Sequence, residues 1–185
     1  RLRQINAVRP APGQGLKMSS ERQTVLIVYY SESGRTRAAA AGLDKALNAT
    51  VEPLNAPLLI GRTGFWMFCW RALNAILGRA AAIEPPLHDP AGFDLVILAS
   101  PVWANRLSTP MLGYLQRFQR RFKRVAFVTT QSDGDTSRAF SDFARLTGQS
   151  GVARLSLSDT DRRQHHDVKK IADFVAALAT PETES

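Results

Sequence analysis

Apolar residues gather along this chain in short unbroken runs, separated by helical stripes and polar loops. Residues 24–30 read Thr-Val-Leu-Ile-Val-Tyr-Tyr, the kind of β-branched and aromatic run found in strands covered on both faces of a parallel sheet. A helix is predicted over about 35–48, with Ala39, Leu43 and Ala46 marking its inner face. Further strands are predicted near 50–54, 94–100, 124–130 and 152–157. Thr109 and Pro110 read as an N-cap and first turn, opening a helix that packs Met111, Leu115 and Phe118. The helix predicted over 136–147 carries Ala139, Phe143 and Leu146 on one face and stops at Gly148. A last helix groups Val168, Ile171, Val175 and Leu178.

Five strands alternating with helices predict a doubly wound α/β sheet with right-handed crossovers. Ligands in such sheets sit beyond the carboxyl ends of the strands, where the winding reverses. The loops after Tyr30, Ser100 and Thr130 are therefore where chemistry is expected.

With 185 residues, 44% of them hydrophobic and 8% aromatic, the chain fits one domain with a sizeable core. No apolar run approaches the roughly 20 residues of a spanning helix, so no transmembrane segment is expected. The formal charge is +8, and residues 1–23 hold five basic residues against Glu21. The basic excess is otherwise spread out, without the arginine–aromatic alternation of a base-stacking platform, so no nucleic acid partner is expected. Residues 1–23 read as a leader, with 1–17 upstream or vector-derived sequence ahead of a native start at Met18-Ser19-Ser20. The domain is then placed at 24–180, with a tail at 181–185. No apolar h-region marks a signal peptide, and the lone Cys69 suits a reducing, cytoplasmic setting.

The first loop is the most informative. Ser31-Glu32-Ser33-Gly34-Arg35-Thr36 lies between a buried strand and a helix, where unpaired N–H groups and the helix dipole favour a phosphate. Gly34 lets the chain curl close to the oxygens. Ser31, Ser33 and Thr36 offer hydroxyls, and Arg35 either adds charge or points to solvent. Serine as a plain helix cap is the competing explanation. No Gly-Lys-Ser/Thr follows for a triphosphate loop, the dinucleotide Gly-x-Gly-x-x-Gly is absent, and Glu32 alone does not make an acidic phosphoacceptor cluster.

With Ser31, Ser33, Gly34 and Thr36 at its fixed positions, the segment resembles the FMN-phosphate loop of the flavodoxin family. The resemblance implies a three-layer α/β/α sandwich around a five-stranded parallel sheet of order 2-1-3-4-5, with FMN as cofactor. A second loop, Pro101-Val102-Trp103-Ala104-Asn105, is similar to the family's Pro-x-Trp loop and implies that Val102, Trp103 and Ala104 lie along the isoalloxazine. Ala104 and Asn105 stand where electron-carrying flavodoxins often have glycine, which shifts weight from one-electron transfer towards two-electron chemistry. The third loop, Gln131-Ser132-Asp133-Gly134, matches the one flanking the flavin's pyrimidine side, although Asp133 or Asp135 as a cap for the next helix is the better account of the carboxylates. A basic protein also lowers the flavin potential less than the acidic carriers do.

No catalytic acid or base is evident, so the expected activity is electron transfer or NAD(P)H- or quinone-linked reduction carried by the flavin. The alternative is a non-catalytic module of the same fold that binds a partner through the segment 56–92. That segment contains Gly61-Arg62-Thr63-Gly64-Phe65-Trp66-Met67-Phe68-Cys69-Trp70 and continues helically to about Ala80. Packing on the sheet as a crossover helix is favoured, with a homodimer interface or an apolar lid over a quinone-like substrate as alternatives. Cys69 reads as a packed thiol. A low-molecular-weight phosphatase would need its cysteine in the first loop instead. His165 and His166, near Asp161 and Asp167, are placed at the end away from the active loops, and no metal site is expected.

Overall fold

The computed structural model describes residues 23–57, 69 and 73–179. Residues 1–22 of the leader, with Met18 to Ser20, the tail 181–185, and Phe65, Trp66, Phe68 and Trp70 lie outside the described residues.

Five strands run parallel: β1 (Val25–Tyr29), β2 (Thr50–Pro53), β3 (Leu95–Trp103), β5 (Val125–Thr130) and β6 (Arg154–Leu157). The sixth, β4 (Arg106–Leu107), pairs antiparallel with the end of β3. The sheet order is β2-β1-β3-β5-β6, which is the predicted 2-1-3-4-5 winding with the hairpin strand set aside. The helices are α1 (Arg35–Leu47), α2 (Thr109–Arg117), α3 (Ser137–Thr147), the short α4 (Asp159–Arg163) and α5 (His166–Ala179).

Central strands bury both faces, which is why their sequences run apolar without alternation. Leu26, Val28, Val96, Leu98 and Phe127 face α2 and α3, where Phe127 stacks on Phe143 at 4.8 Å. Ile27, Ile97, Ala126 and Val128 face α1 and α5. Gly151 (φ 79°) precedes β6 against the same Phe127 ring, and a side chain there would begin 2.7 Å from it.

Several faces differ from the sequence pattern. Ala46 is exposed, and α1 buries Ala39, Ala40 and Leu43 instead. Alanine is too small to fix which stripe turns inward. Val168 is 71% exposed, and Ile171 makes the close approach to α1, its Cδ1 3.3 Å from where a side chain on Gly42 would begin. Phe174 takes the buried place. The N-cap of α2 is Ser108, one residue before Thr109.

Residues 73–76 are helical. Asn74 and Ala75 are buried there, while Leu73, Ile76 and Leu77 are half exposed. The helix ends before Ala80, and the chain returns extended across the sheet's flank. Ala81 N–H donates to the Thr109 carbonyl, and Glu84 N–H to that of Asn55. The buried Glu52 carboxylate then accepts from the N–H groups of Leu87 and His88 and pairs with the His88 ring. No described helix is long and apolar enough to cross a membrane.

Candidate functional site

β1 delivers the chain to Tyr30 and then into the first loop. Gly34, left-handed at φ 86°, is the residue from which α1 starts, and open space lies where its Cβ would be. Backbone conformation, not crowding, is what requires glycine there. The helix start leaves the N–H groups of Arg35, Thr36 and Arg37 without intrahelical acceptors. Gly34 has no side chain to cap them, and no acidic residue stands in the first turn. Ser31 Oγ is buried and makes no hydrogen bond. Such a hydroxyl calls for a partner.

The remaining side chains of the loop divide. Glu32 and Ser33 are exposed. Thr36 turns inward, its Oγ1 2.8 Å from Thr130 Oγ1. Arg35 neither covers the loop nor points freely to solvent. Its Nη1 donates to Ser132 Oγ at 3.2 Å, and its Nη2 lies 2.8 Å from Asp159 Oδ2.

In the second loop the strand runs through Pro101 and Val102 to Trp103, three residues past the predicted end, and folds back as a hairpin. Ala104 (φ 48°) and Asn105 (φ 62°) form its two-residue turn. Positive φ at both central positions is the signature of a type I′ turn, which suits the twist of the strands. Asparagine tolerates that region, but alanine is strained there by roughly 1–2 kcal/mol. The Ser100 and Ser108 hydroxyls, 3.0 Å apart, tie the hairpin's base. Trp103 meets Tyr30 in a T-shaped contact, ring centroids 5.8 Å apart, so part of its ring system is committed to the protein. Asn105 Nδ2 donates to Asp135 Oδ2 at 3.1 Å, while its Oδ1 is buried without a partner.

After β5, Gln131 folds over its own loop to donate to the Gly134 carbonyl. Asp135 accepts from the Ser137 hydroxyl and N–H at the start of α3. Those bonds, with the one from Asn105, hold its carboxyl at about 2. Asp133 faces Arg163 at 3.7 Å instead. The three loops therefore touch in pairs: Thr36 with Thr130, Tyr30 with Trp103, Asn105 with Asp135.

No family model matches the chain, and none of the curated proteins matches it. Solved structures do. A flavoprotein in complex with FMN from Lactobacillus acidophilus superposes with a TM-score of 0.65 at 21% identity, covering 77% of this chain and 97% of that one. The fold is flavodoxin-like. Oxidised flavodoxin 2 from Bacillus cereus matches with a TM-score of 0.53 at 18% identity, over 84% of this chain and 97% of that one. A Fusobacterium nucleatum flavodoxin bound to flavin mononucleotide gives 0.53 at 10%, over 84% and 96%.

A fourth element, α4, also reaches this edge of the sheet. Ser158 and Asp161 form a reciprocal capping box at the start of α4, and Asp159 N–H donates to the Ser132 carbonyl. The Ser-x-x-Asp spacing was the available signal. It brings α4, and with it His165 and His166, to the same end of the sheet as the three loops, which corrects their expected placement. Both histidines are exposed, and among the described residues no three metal-ligating side chains gather.

Proposed function

We propose that the chain is an FMN-binding redox protein whose phosphate site is the turn from Ser31 to Thr36. The observation that carries this reading is the buried, unpartnered Ser31 hydroxyl beside a helix start with no cap and no acid. A phosphate there would accept from that hydroxyl, from exposed Ser33 and from the free N–H groups of the first turn. Gly34 supplies the backbone bend. Thr36 plays a different part from the one the motif implies, locking the turn to β5 through Thr130.

The ring would lie against the hairpin loop, with Pro101, Val102 and Trp103 on β3 and the Ala104-Asn105 turn beside it, and with residues 131–134 along its polar edge. FMN supplies electron acceptance and donation, and the chain positions it. Asn105 Oδ1, buried and unpartnered, is a ready acceptor for an N–H of a bound group. Asp135 fixes that side chain from behind. The strained turn is already in its positive-φ form and is pinned at Asn105, which favours a rigid ring site. That fits two-electron reduction of a small acceptor such as a quinone, with NAD(P)H as donor, better than a carrier that reorganises its loop.

The test is an FMN titration of the apoprotein followed by Trp fluorescence and flavin absorbance. Saturable binding, weakened at least tenfold in Ser31→Ala, is the expected result. Absence of binding by folded protein would overturn it.

A second reading rests on the half-exposed Leu73, Ile76 and Leu77, which suit a partner-binding module. It predicts an association lost when Ile76 and Leu77 are made polar, with no flavin bound.

A further inference from the structure

Beside the hairpin lies a second concavity, a cleft of about 290 Å³ bounded by β4, α2, α3 and residues 75–78. Its charge is set by three side chains. Asp142 on α3 is 4% exposed, and its Oδ1 receives Arg106 Nη1 at 2.8 Å and Arg145 Nη2 at 3.3 Å. One buried carboxylate therefore holds two guanidinium groups from different elements, leaving a net positive charge. Each guanidinium carries five N–H donors, and no other acceptor engages either side chain among the described hydrogen bonds. The Gln116 amide joins the lining.

We infer that this cleft is a binding site for a phosphomonoester on a small organic molecule. Two converging guanidinium forks suit a tetrahedral anion with several oxygens better than a single planar carboxylate. The buried Asp142 keeps both forks in place before the anion arrives, so less rotamer freedom is lost on binding. Arg106 follows directly on the Ala104-Asn105 turn, so one end of the cleft is joined to the candidate ring site through β4. A phosphorylated electron donor or acceptor, anchored here by its phosphate, would be delivered to the flavin. That use rests on the FMN reading, whereas the anion site itself does not.

The experiment is a titration of ¹⁵N-labelled, FMN-saturated protein with adenosine 2′-monophosphate and, separately, inorganic phosphate, with adenosine as control. The same series on FMN-free protein separates this site from the Ser31–Thr36 turn. The nucleotide is expected to shift the Arg106 and Arg145 side-chain N–H resonances in both forms, and adenosine is not. Arg145→Gln should weaken nucleotide binding about tenfold, with Arg145→Lys recovering part of it. Arg145 is the safer variant because its own side chain is largely exposed and Arg106 still pairs with the buried Asp142 without it. Equal shifts with inorganic phosphate alone would assign the site to free phosphate. Unmoved arginine resonances, shifts confined to residues 31–36, or undiminished binding by Arg145→Gln would overturn the proposal. Failure of FMN to bind would leave these shifts readable and would sink only the delivery role.

Discussion

Arg35, the cation of the turn from Ser31 to Thr36, is bound to Asp159 at the start of α4, with 2.8 Å between Nη2 and Oδ2. The pair joins the loop after β1 to the loop after β6, across the end of β5. It also sets a negative charge close to where a phosphate would sit.

Asp159→Asn should therefore raise FMN affinity, by about threefold for a partly exposed pair at low ionic strength, and by less in high salt. Calorimetric titration at two salt concentrations checks it. Weaker binding in the variant would mean that Asp159 serves the site by ordering α4, not by opposing the anion.

Ala104 sits at φ 48° without the freedom of glycine. Ala104→Gly should stabilise the protein by about 1 kcal/mol, since the relieved strain exceeds the added chain entropy. In a domain of this size that raises Tm by about 3 °C. A lowered Tm would show that the alanine methyl contributes packing that outweighs the strain.

Gly151→Ala should do the reverse. A methyl 2.7 Å from the Phe127 ring, on a residue at φ 79°, combines overpacking with backbone strain, a cost of about 2–4 kcal/mol. Urea unfolding should show an earlier midpoint with an unchanged slope.

Three carboxylates lie at about 2 in place of the usual 3.8. Asp94 is lowered first by the Thr24 N–H, Asp135 by the Ser137 hydroxyl, and Asp161 by Lys170. Each is lower in the folded protein than in the unfolded chain, so the stability it contributes is complete above about pH 4. It is lost as pH falls from there towards 2. Tm should drop through that window, and Asp161→Asn should flatten part of the drop. A Tm that stays level from pH 5 to pH 2 would contradict this.

The parallel sheet was legible because β1, β3 and β5 are covered on both faces and so leave unbroken apolar runs. The small strand β4 was not. Arg106-Leu107 is two residues long, and its turn is Ala-Asn in place of the Asn-Gly that marks a type I′ hairpin. The turn that opens α1 was legible as a local pattern, Ser-x-Ser-Gly-x-Thr ahead of a helix. What its side chains touch was not. Arg35 finds Asp159 and Thr36 finds Thr130, both far away in sequence, so only the closed sheet brings them together. His165 and His166 were misplaced for another reason: they follow β6, and a segment that follows a parallel strand starts at that strand's carboxyl edge, where the other loops also lie.

The central claim, that the Ser31–Thr36 turn holds the phosphate of FMN, is tested most directly by comparing FMN with riboflavin, which lacks that phosphate. Dissociation constants of both should be measured for the wild type and for Ser31→Ala/Ser33→Ala, with folding checked by circular dichroism. The account predicts that the wild type prefers FMN by about a hundredfold or more and that the double variant loses most of that preference while still binding riboflavin as before. Equal affinities in the wild type, or an FMN preference untouched by the double substitution, would contradict it.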